Sequence, residues 1–265
     1  MQVITLLNEK GGVGKTTLAV HIAAGLACRG QNVLMVDGDP QGHATVRFGL
    51  KKEPGLYNLL VRDAAWEETT RTVPPERYGM PGERLPTGRL WVVPSNVETR
   101  NIANSISDAD LLAIRLDEIA DRVDVVVMDT SPTPSLLHGA FYTATDAIIY
   151  PTKLTYTSFD GLVESIRRRQ AADNSRAARW QLPRIEVMGV IPIEYRGNTL
   201  EQQENLAELQ RQFGSLVWMP VPQRTLWTES ESRALPVFAL DPSSGAALDA
   251  WEIIDRVEEG LRVKA

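Results

Sequence analysis

Near the start of the chain stands the segment Glu9-Lys10-Gly11-Gly12-Val13-Gly14-Lys15-Thr16-Thr17. It follows an apolar run at residues 3–7 and precedes a helical pattern that extends to residue 29, so we expect strand, glycine turn and helix in that order. The glycines let backbone N–H groups surround an anion, and the helix points its positive end at the same place. Lys15 is placed to neutralise the β- and γ-phosphate oxygens of a nucleotide, and the Thr16 hydroxyl to coordinate its Mg²⁺. The segment therefore predicts a phosphate-binding loop.

This loop departs from the ordinary P-loop pattern at one position. The pattern has a glycine where this chain has Glu9, and a second lysine, Lys10, stands beside it. We interpret the exchange as a functional signal.

Composition excludes several classes of protein. The 265 residues are 43% hydrophobic, enough to bury a sizeable core, and we expect one domain over residues 1–265. The net charge of −6 argues against a protein that coats nucleic acid with its whole surface, so any DNA contact needs a local basic patch. Cys28 is the only cysteine, which excludes an internal disulfide and indicates a reducing compartment. No apolar run approaches the roughly 20 residues that cross a bilayer, so we expect a soluble, cytoplasmic protein.

Short apolar runs alternate with helical patterns along the chain. The runs are mostly continuous, as in strands buried on both faces, and we expect strands at residues 3–7, 33–36, 90–93, 125–128, 147–150, 185–191 and 216–219. We expect helices at residues 15–29, 109–122, 159–172, 200–213 and 246–261. This order predicts an α/β fold of the P-loop NTPase type, a mostly parallel β-sheet flanked by helices on both faces. Residues 62–89 are rich in Pro, Gly, Glu and Arg and are expected to form a variable surface excursion with one helical turn, with ordering by a partner as the alternative.

Carboxylates follow two of the predicted strands, at the sheet edge where ligands bind. Asp129 is expected to hold a Mg²⁺-bound water, with a turn-capping role as the alternative. Asp39 is a candidate to orient the attacking water and accept its proton, and for Asp37 we expect only bonds to backbone donors of the same turn. Pro40 and Gly42 mark a loop able to change shape between nucleotide states.

The succession of these motifs resembles the ParA branch of the ParA/MinD ATPase superfamily. The resemblance rests on Lys10-Gly-Gly-Val-Gly-Lys15-Thr16-Thr17, Asp37-Gly38-Asp39-Pro40-Gln41-Gly42 and the strand that ends at Asp129. It continues through Val93-Pro94-Ser95-Asn96, Tyr150-Pro151-Thr152, Phe159-Asp160-Gly161-Leu162 and Val221-Pro222-Gln223-Arg224. It therefore covers nearly the whole chain, and residues 62–89 match poorly.

The resemblance implies a weak Mg²⁺-dependent ATPase that forms a homodimer in its ATP state. Lys10 would reach the phosphates held by the other protomer, and Lys15 those of its own nucleotide. The catalytic residues implied are Lys10, Lys15 and Asp39. The nucleotide, ATP or ADP, would be bound by Gly11, Gly12, Val13, Gly14, Lys15, Thr16 and Thr17, with Pro222 near the adenine. The Mg²⁺ site would comprise Thr16, Asp39 and Asp129.

Two residues depart from the family pattern. Gln223 replaces the usual Arg, which removes a charge but leaves backbone contacts to the base possible. His43 replaces the usual Asn; we expect it to face solvent or to be hydrogen-bonded, the alternative being a pH-sensitive group beside the hydrolysis loop.

ParA relatives bind DNA without sequence preference, and this chain has one obvious basic cluster for that. Its members are Arg167, Arg168, Arg169, Arg176 and Arg179, around the end of the helix predicted at residues 159–172. Such arginines can bind phosphates in a salt-sensitive way, or they can be a solvated helix end that complements the helix dipole.

MinD relatives attach to membranes through a basic amphipathic tail, and the corresponding helix here is acidic. Residues 246–261 combine an apolar stripe with the carboxylates of Glu252, Asp255, Glu258 and Glu259, which anionic lipid repels, so we expect packing against the sheet and no membrane contact.

The sequence thus predicts a ParA-type partition ATPase. We expect the short form without an N-terminal DNA-reading domain, because the first strand begins at Val3. In the implied cycle an ATP-bound homodimer holds nonspecific DNA on the nucleoid, a ParB-like protein stimulates hydrolysis, and the cargo is a plasmid, a chromosome region or a protein assembly. A MinD-like membrane-cycling ATPase and a nucleotide-gated adaptor with little turnover stay open as alternatives.

Overall fold

The computed structural model describes residues 1–262. Its strands are β1 (Gln2–Leu6), β2 (Val33–Gly38), β3 (Arg71–Thr72), β4 (Leu90–Val93), β5 (Val125–Thr130), β6 (Ala147–Lys153) and β7 (Glu186–Ile193). Its helices are α1 (Lys15–Cys28), α2 (His43–Arg47), α3 (Gly55–Val61), α4 (Trp66–Thr69), α5 (Thr99–Ser105), α6 (Leu111–Asp117), α7 (Leu136–Ala144), α8 (Tyr156–Trp180), α9 (Leu200–Phe213), α10 (Thr225–Arg233), α11 (Val237–Leu240) and α12 (Gly245–Arg262). Two 3₁₀ turns lie at Pro75–Arg77 and Gly214–Leu216.

The strands form one sheet in the order β3-β4-β2-β5-β1-β6-β7. All neighbours are parallel except β3, which is antiparallel to β4. β1 lies between β5 and β6, so the loop that follows it opens at the carboxyl ends of both neighbours. The register pairs Asp129 with Leu6 on one side and with Asp37 on the other. The predicted α/β fold is therefore confirmed, and the strand-end carboxylates lie side by side.

The apolar strands are buried from both faces of the sheet. In β2, Val33 and Met35 pack in the cluster that contains α1 and α12, whereas Leu34 and Val36 pack with α3, α6 and α7. Helices on both faces explain why these strands are continuous apolar runs without polar alternation.

The strand predicted at residues 216–219 is wrong. Leu216 ends a 3₁₀ turn, and the chain after it forms only isolated parallel bridges, Val217 with Val190 of β7 and, beyond both segments, Pro222 with Tyr195. Pro220 and Pro222, which follow directly, have no N–H, so the chain beyond residue 219 cannot continue a regular ladder.

Several helix boundaries also differ from the prediction. α8 runs eight residues beyond the predicted end at residue 172, because Asp173 and Arg176 are buried and hydrogen-bonded although they are charged. The helix predicted at residues 109–122 is confined to α6. The short helices α2, α3, α5, α7, α10 and α11 were not predicted, since their few turns give little periodicity.

Residues 62–89 contain the expected helical turn, α4, but also the edge strand β3. Val73 and Tyr78 are each 1% exposed and join the core. The segment therefore covers one edge of the sheet and contributes to the core, in addition to its exposed positions.

Candidate nucleotide site

The loop between β1 and α1 has the geometry of an anion cradle. Gly14 is left-handed (φ 79°), and an added Cβ would lie 2.7 Å from Ile193 Cδ1, so both conformation and space favour glycine. α1 begins at the next residue, has no side-chain cap and has no acidic residue in its first turn. Its first N–H groups are left for a ligand, and the helix dipole favours an anionic one.

Lys15 is buried within this loop. Its Nζ donates to the carbonyl oxygens of Asn8 at 2.8 Å and Lys10 at 3.1 Å. Burial lowers the pKa of Lys15, opposed by the carboxylates of Asp129 and Asp39. The ammonium is thus held at the centre of the cradle, where phosphate oxygens can replace the two carbonyl acceptors.

Lys10 is exposed, although it lies only five residues before Lys15. Its backbone N–H donates to Asn8 Oδ1 at 2.9 Å, and Asn8 Nδ2 donates to the carbonyl of Pro151 at 2.8 Å. Gly161 of α8 approaches closely, since an added Cβ would lie 3.0 Å from Lys10 Cβ. Asn8 and Gly161 therefore fix the backbone of Lys10 while its side chain faces outward.

Thr16 and Asp129 meet at the mouth of the cradle. Thr16 Oγ1 donates to Asp129 Oδ2 at 2.7 Å, and Asp129 is fully buried. The other oxygen, Asp129 Oδ1, is buried without a hydrogen-bond partner. Burial and the neighbouring Asp37 carboxylate raise the pKa of Asp129. A buried, unpartnered carboxylate oxygen beside a hydroxyl fits a hard divalent cation such as Mg²⁺.

The donor set also fits the way Mg²⁺ is usually held. Within residues 1–262, no three His, Cys, Asp or Glu side chains are grouped so as to hold a metal ion. Mg²⁺ commonly takes one or two protein ligands and obtains the others from phosphates and water.

Asp37 holds the loop that follows β2. It accepts hydrogen bonds from Thr45 N at 2.8 Å, Thr45 Oγ1 at 2.6 Å and Asp39 N at 3.2 Å. Burial raises its pKa to about 6, partly offset by the bonds from Thr45. As expected, Asp37 bonds to backbone donors of its own loop, and it also bonds to the Thr45 hydroxyl.

Asp39 is half-buried in the same loop, close enough to Asp129 that, after burial and Asp37, its charge also raises the pKa of that carboxyl. Its Oδ1 accepts a bond of 2.8 Å from Gln41 N, and its carbonyl accepts one of 2.7 Å from Ser95 Oγ. Asp39 also lines a groove of about 450 Å³ together with Ser131 and Pro132. Ser95 belongs to one of the family-like motifs, but its bond to Asp39 was not predicted from the sequence.

On the other side of the cradle lies a cavity of about 440 Å³, lined in part by Gly14, Thr17, Pro222 and Trp227. Pro222, predicted near the adenine, thus faces the same space as the phosphate loop. Gln223 is exposed, and its Oε1 accepts a hydrogen bond from Arg196.

His21, to which sequence reasoning assigned no role, ties the cradle to the wall of this cavity. Its Nδ1 lies 2.7 Å from the Thr17 carbonyl oxygen, and its Nε2 accepts a 3.0 Å bond from Val237 N. The ring also packs edge-on against Trp227. Burial lowers its pKa to about 4, so the imidazole is neutral. The signal available in the sequence was its i+4 spacing from Thr17 within an otherwise apolar helix.

His43, by contrast, is exposed.

The predicted basic cluster is divided between the surface and the interior. Arg176 is 3% exposed and donates to the carbonyls of Tyr142, Thr143 and Pro183, so the prediction that it contacts DNA does not agree with the structure. Arg169 is also largely buried and pairs with Asp173 at 2.7 Å.

The remaining members of the cluster are accessible. Arg168 is half-exposed and pairs with Glu9 of the phosphate loop at 2.5 Å. Arg167, with 72% of its side chain exposed, and Arg179 face solvent. The exposed part of the cluster is therefore Arg167, Arg168 and Arg179.

The apolar stripe of α12 is buried. Ile254 meets Gly25 of α1 so closely that an added Cβ would lie 2.1 Å from its Cδ1, and Val257 and Leu261 are buried as well. The helix packs as predicted: it lies mainly on α1 and also touches the sheet, since Gln2 Nε2 of β1 donates to the Leu261 carbonyl at 3.1 Å and Met188 of β7 lies against Gly260. In the described part of the chain every helix is too short or too polar to cross a lipid bilayer.

Several known proteins are similar to this chain in sequence or in fold. A family model described as an AAA domain matches residues 1–178. The chromosome-partitioning ATPase Soj of Thermus thermophilus is 30% identical, over 97% of this chain and 96% of Soj. Among solved structures, the McdA–ATP complex of Cyanothece has a TM-score of 0.77 at 18% identity, covering 99% of this chain and 95% of that one. MinD of Pyrococcus horikoshii with Mg-ADP has a TM-score of 0.76 at 17% identity, covering 100% and 98%.

Proposed function

The chain belongs to the ParA/MinD family of P-loop ATPases, and from that membership we propose that it is a ParA-type partition ATPase. It binds ATP with Mg²⁺, hydrolyses it slowly to ADP and phosphate, and forms a homodimer in the ATP state. The dimer holds DNA without sequence preference, and a ParB-like protein stimulates hydrolysis. The cycle segregates or positions a plasmid, chromosome or protein cargo on the nucleoid in the cytoplasm.

The observation that carries this proposal is the opposite placement of two lysines. Lys15 is buried and turned into its own cradle, whereas Lys10 is exposed on a backbone held by Asn8. A cation that serves the nucleotide of another protomer must be accessible, whereas the enclosed Lys15 can reach only the nucleotide of its own protomer. A lysine supplied by the partner would make transition-state stabilisation depend on dimerisation.

The geometry of the site supports the remaining roles in this proposal. Lys15 and the N–H groups of residues 11–17 hold the phosphates, and Pro222 lies beside the base. Thr16, Asp39 and Asp129 would hold Mg²⁺, and the ion would neutralise phosphate charge. Asp39 orients the attacking water and accepts its proton.

A test of the dimer uses two lysine variants. With ATP and Mg²⁺, light scattering is expected to show a dimer for the parent protein and a monomer for Lys10→Ala, which still binds nucleotide. Lys51→Ala, an exposed lysine outside the site, is the matched control and should dimerise like the parent. An undiminished ATP-dependent dimer of Lys10→Ala contradicts the proposal.

A second experiment tests whether the ATP-bound protein binds DNA or a lipid membrane. ATPase activity with and without nonspecific DNA is measured together with a salt titration of DNA binding, and liposome sedimentation is run in parallel. We expect salt-sensitive DNA binding that needs ATP. Binding to anionic liposomes but not to plasmid DNA would favour the MinD-like alternative, which the burial of the α12 stripe already disfavours.

A further inference from the structure

Arg47 contacts the phosphate loop from outside the loop sequence. It is the last residue of α2, and its side chain is only 15% exposed. Its Nη1 donates to Thr17 Oγ1 at 2.7 Å, and its Nη2 forms an ion pair with Glu231 Oε1 on α10. Thr17 Oγ1 in turn lies 3.3 Å from the same Glu231 oxygen. The three side chains form a closed triangle, of which Thr17 and Glu231 line the 440 Å³ cavity.

The triangle joins three parts of the nucleotide site. Thr17 lies in the first turn of α1, where N–H groups favour phosphate. Arg47 lies on the short helix that Asp37 anchors through Thr45, directly after the Asp39 loop. Glu231 lies on the helix that follows Pro222. The triangle therefore connects the phosphate, hydrolysis and base sides of the site.

The chemistry of the contact determines where the Thr17 proton points. A hydroxyl has one proton to donate and two lone pairs. Because the guanidinium donates to Thr17 Oγ1, that proton is available to an acceptor, and the acceptor within reach is Glu231 Oε1. A phosphate oxygen in the cavity would be a competing acceptor of the same kind. The cation also adds positive charge beside the N-terminus of α1.

Glu231 keeps this cation in place. Arg47 is mostly enclosed, and its burial lowers its pKa against the opposing effect of the Glu231 and Asp129 carboxylates. A buried guanidinium needs a carboxylate partner, and Glu231, which is 41% exposed, supplies it while its other face stays in solvent.

We propose that Arg47 is a positioning residue of the nucleotide site, which acts through Thr17 to turn its hydroxyl toward the phosphate chain, with Glu231 holding the guanidinium for this role. The inference rests on the proposed nucleotide site and adds to it a residue that the phosphate-loop motif does not contain.

The test measures ADP affinity by titration calorimetry, once with Mg²⁺ and once with EDTA. Arg47→Gln is expected to weaken ADP binding about tenfold in both buffers, the size of one charge-assisted hydrogen bond. Arg47→Lys should recover part of the loss, and Glu231→Gln should weaken binding about threefold. Arg29→Gln is the matched control, because that arginine pairs with Asp255 at the other end of α1. ADP affinity of Arg47→Gln within twofold of the parent overturns the inference, as does a loss confined to the Mg²⁺ buffer.

A charge swap tests whether Arg47 positions the Thr17 hydroxyl or only links α2 to α10 through an ion pair. The double variant Arg47→Glu with Glu231→Arg restores an ion pair between α2 and α10, but it places a carboxylate against Thr17. We expect its thermal unfolding temperature without nucleotide to return toward that of the parent, while ADP binding stays at least tenfold weaker. Parent-like ADP affinity in the swap overturns the inference. If the parent itself binds no nucleotide, the proposed function fails first, which distinguishes the two outcomes.

Discussion

Thr16 Oγ1 and Asp129 Oδ2 are 2.7 Å apart, although 113 positions separate the two residues in the chain. The contact joins the phosphate loop to the end of a central strand, and it leaves Asp129 Oδ1 buried without a partner. The fold thus keeps a carboxylate oxygen available to a cation.

Asp129→Asn is expected to weaken Mg²⁺ binding about 10–100-fold when measured by Mg²⁺ titration in the presence of ADP. Nucleotide binding in EDTA should stay near that of the parent, since the cradle is unchanged. Without metal, urea unfolding at pH 8 should show equal or greater stability, because a poorly compensated buried charge is removed. Unchanged Mg²⁺ affinity would rule out Asp129 as a metal residue.

Asp39→Ala tests the hydrolysis step. We expect phosphate release to fall by about 100-fold or more while ATP still binds, because the residue acts on the attacking water and not on the cradle. The ATP-bound dimer should then accumulate in light scattering. Asp121→Ala, whose side chain is 80% exposed, is the control. Phosphate release that does not change would instead support a nucleotide-gated adaptor.

The basic cluster divides into two kinds of arginine with opposite expected phenotypes. The double variant Arg167→Gln with Arg179→Gln should keep its stability but lower the salt slope of DNA binding by about 2, because each arginine is expected to neutralise one phosphate. Arg176→Gln should lower the free energy of unfolding by about 3 kcal/mol, because buried carbonyls lose their donor. Urea unfolding and a salt titration of DNA binding measure both effects. A stable Arg176→Gln protein with a reduced salt slope would contradict the division.

His21 should make stability depend on pH. Its folded-state pKa is about 4, against an ordinary value of 6.5, so the unfolded chain binds a proton first and stability is lost as pH falls from about 6.5 to about 4. Between pH 7 and pH 5 its contribution is about 2 kcal/mol. Buried His138 acts in the same direction, so the comparison is with His21→Gln, which does not titrate at this position. If the free energy of unfolding in urea changes with pH equally in the two proteins, His21 is not the source of the pH dependence.

Sequence reasoning predicted the parts of the site that depend on strand ends and on the loop. Thr16 and Asp129 meet because parallel strands bring their carboxyl ends to one edge, a rule that needs no side-chain packing. Arg47 could not be found in this way. In the sequence it resembles any cation near a short helix, and its partner Glu231 lies 184 positions further along the chain.

Arg176, which was wrongly predicted to contact DNA, shows a different limit of prediction from sequence. It was grouped with its neighbours by composition, yet Asp173 follows Arg169 at i+4 spacing and indicates that the helix continues. Which of these charges is buried depends on the ends of α7 and β7 packed beside them, and that information lies outside the local sequence. The strand predicted at residues 216–219 failed for the related reason that apolar character does not ensure a complete ladder of backbone donors.

Among its contacts, α8 touches both the phosphate loop and the end of α7. Arg168 pairs with Glu9 beside the phosphate loop, and Arg176 binds the final carbonyls of α7. The exposed arginines therefore lie on a helix that contacts the phosphate loop directly. Under the proposed cycle, a nucleotide can then change DNA affinity by changing how many arginine faces reach one DNA molecule, with no rearrangement inside a protomer. Two weakly binding faces joined in a dimer gain avidity of about 10²–10⁴-fold through effective concentration. Dimerisation alone is then enough to switch DNA binding on and off.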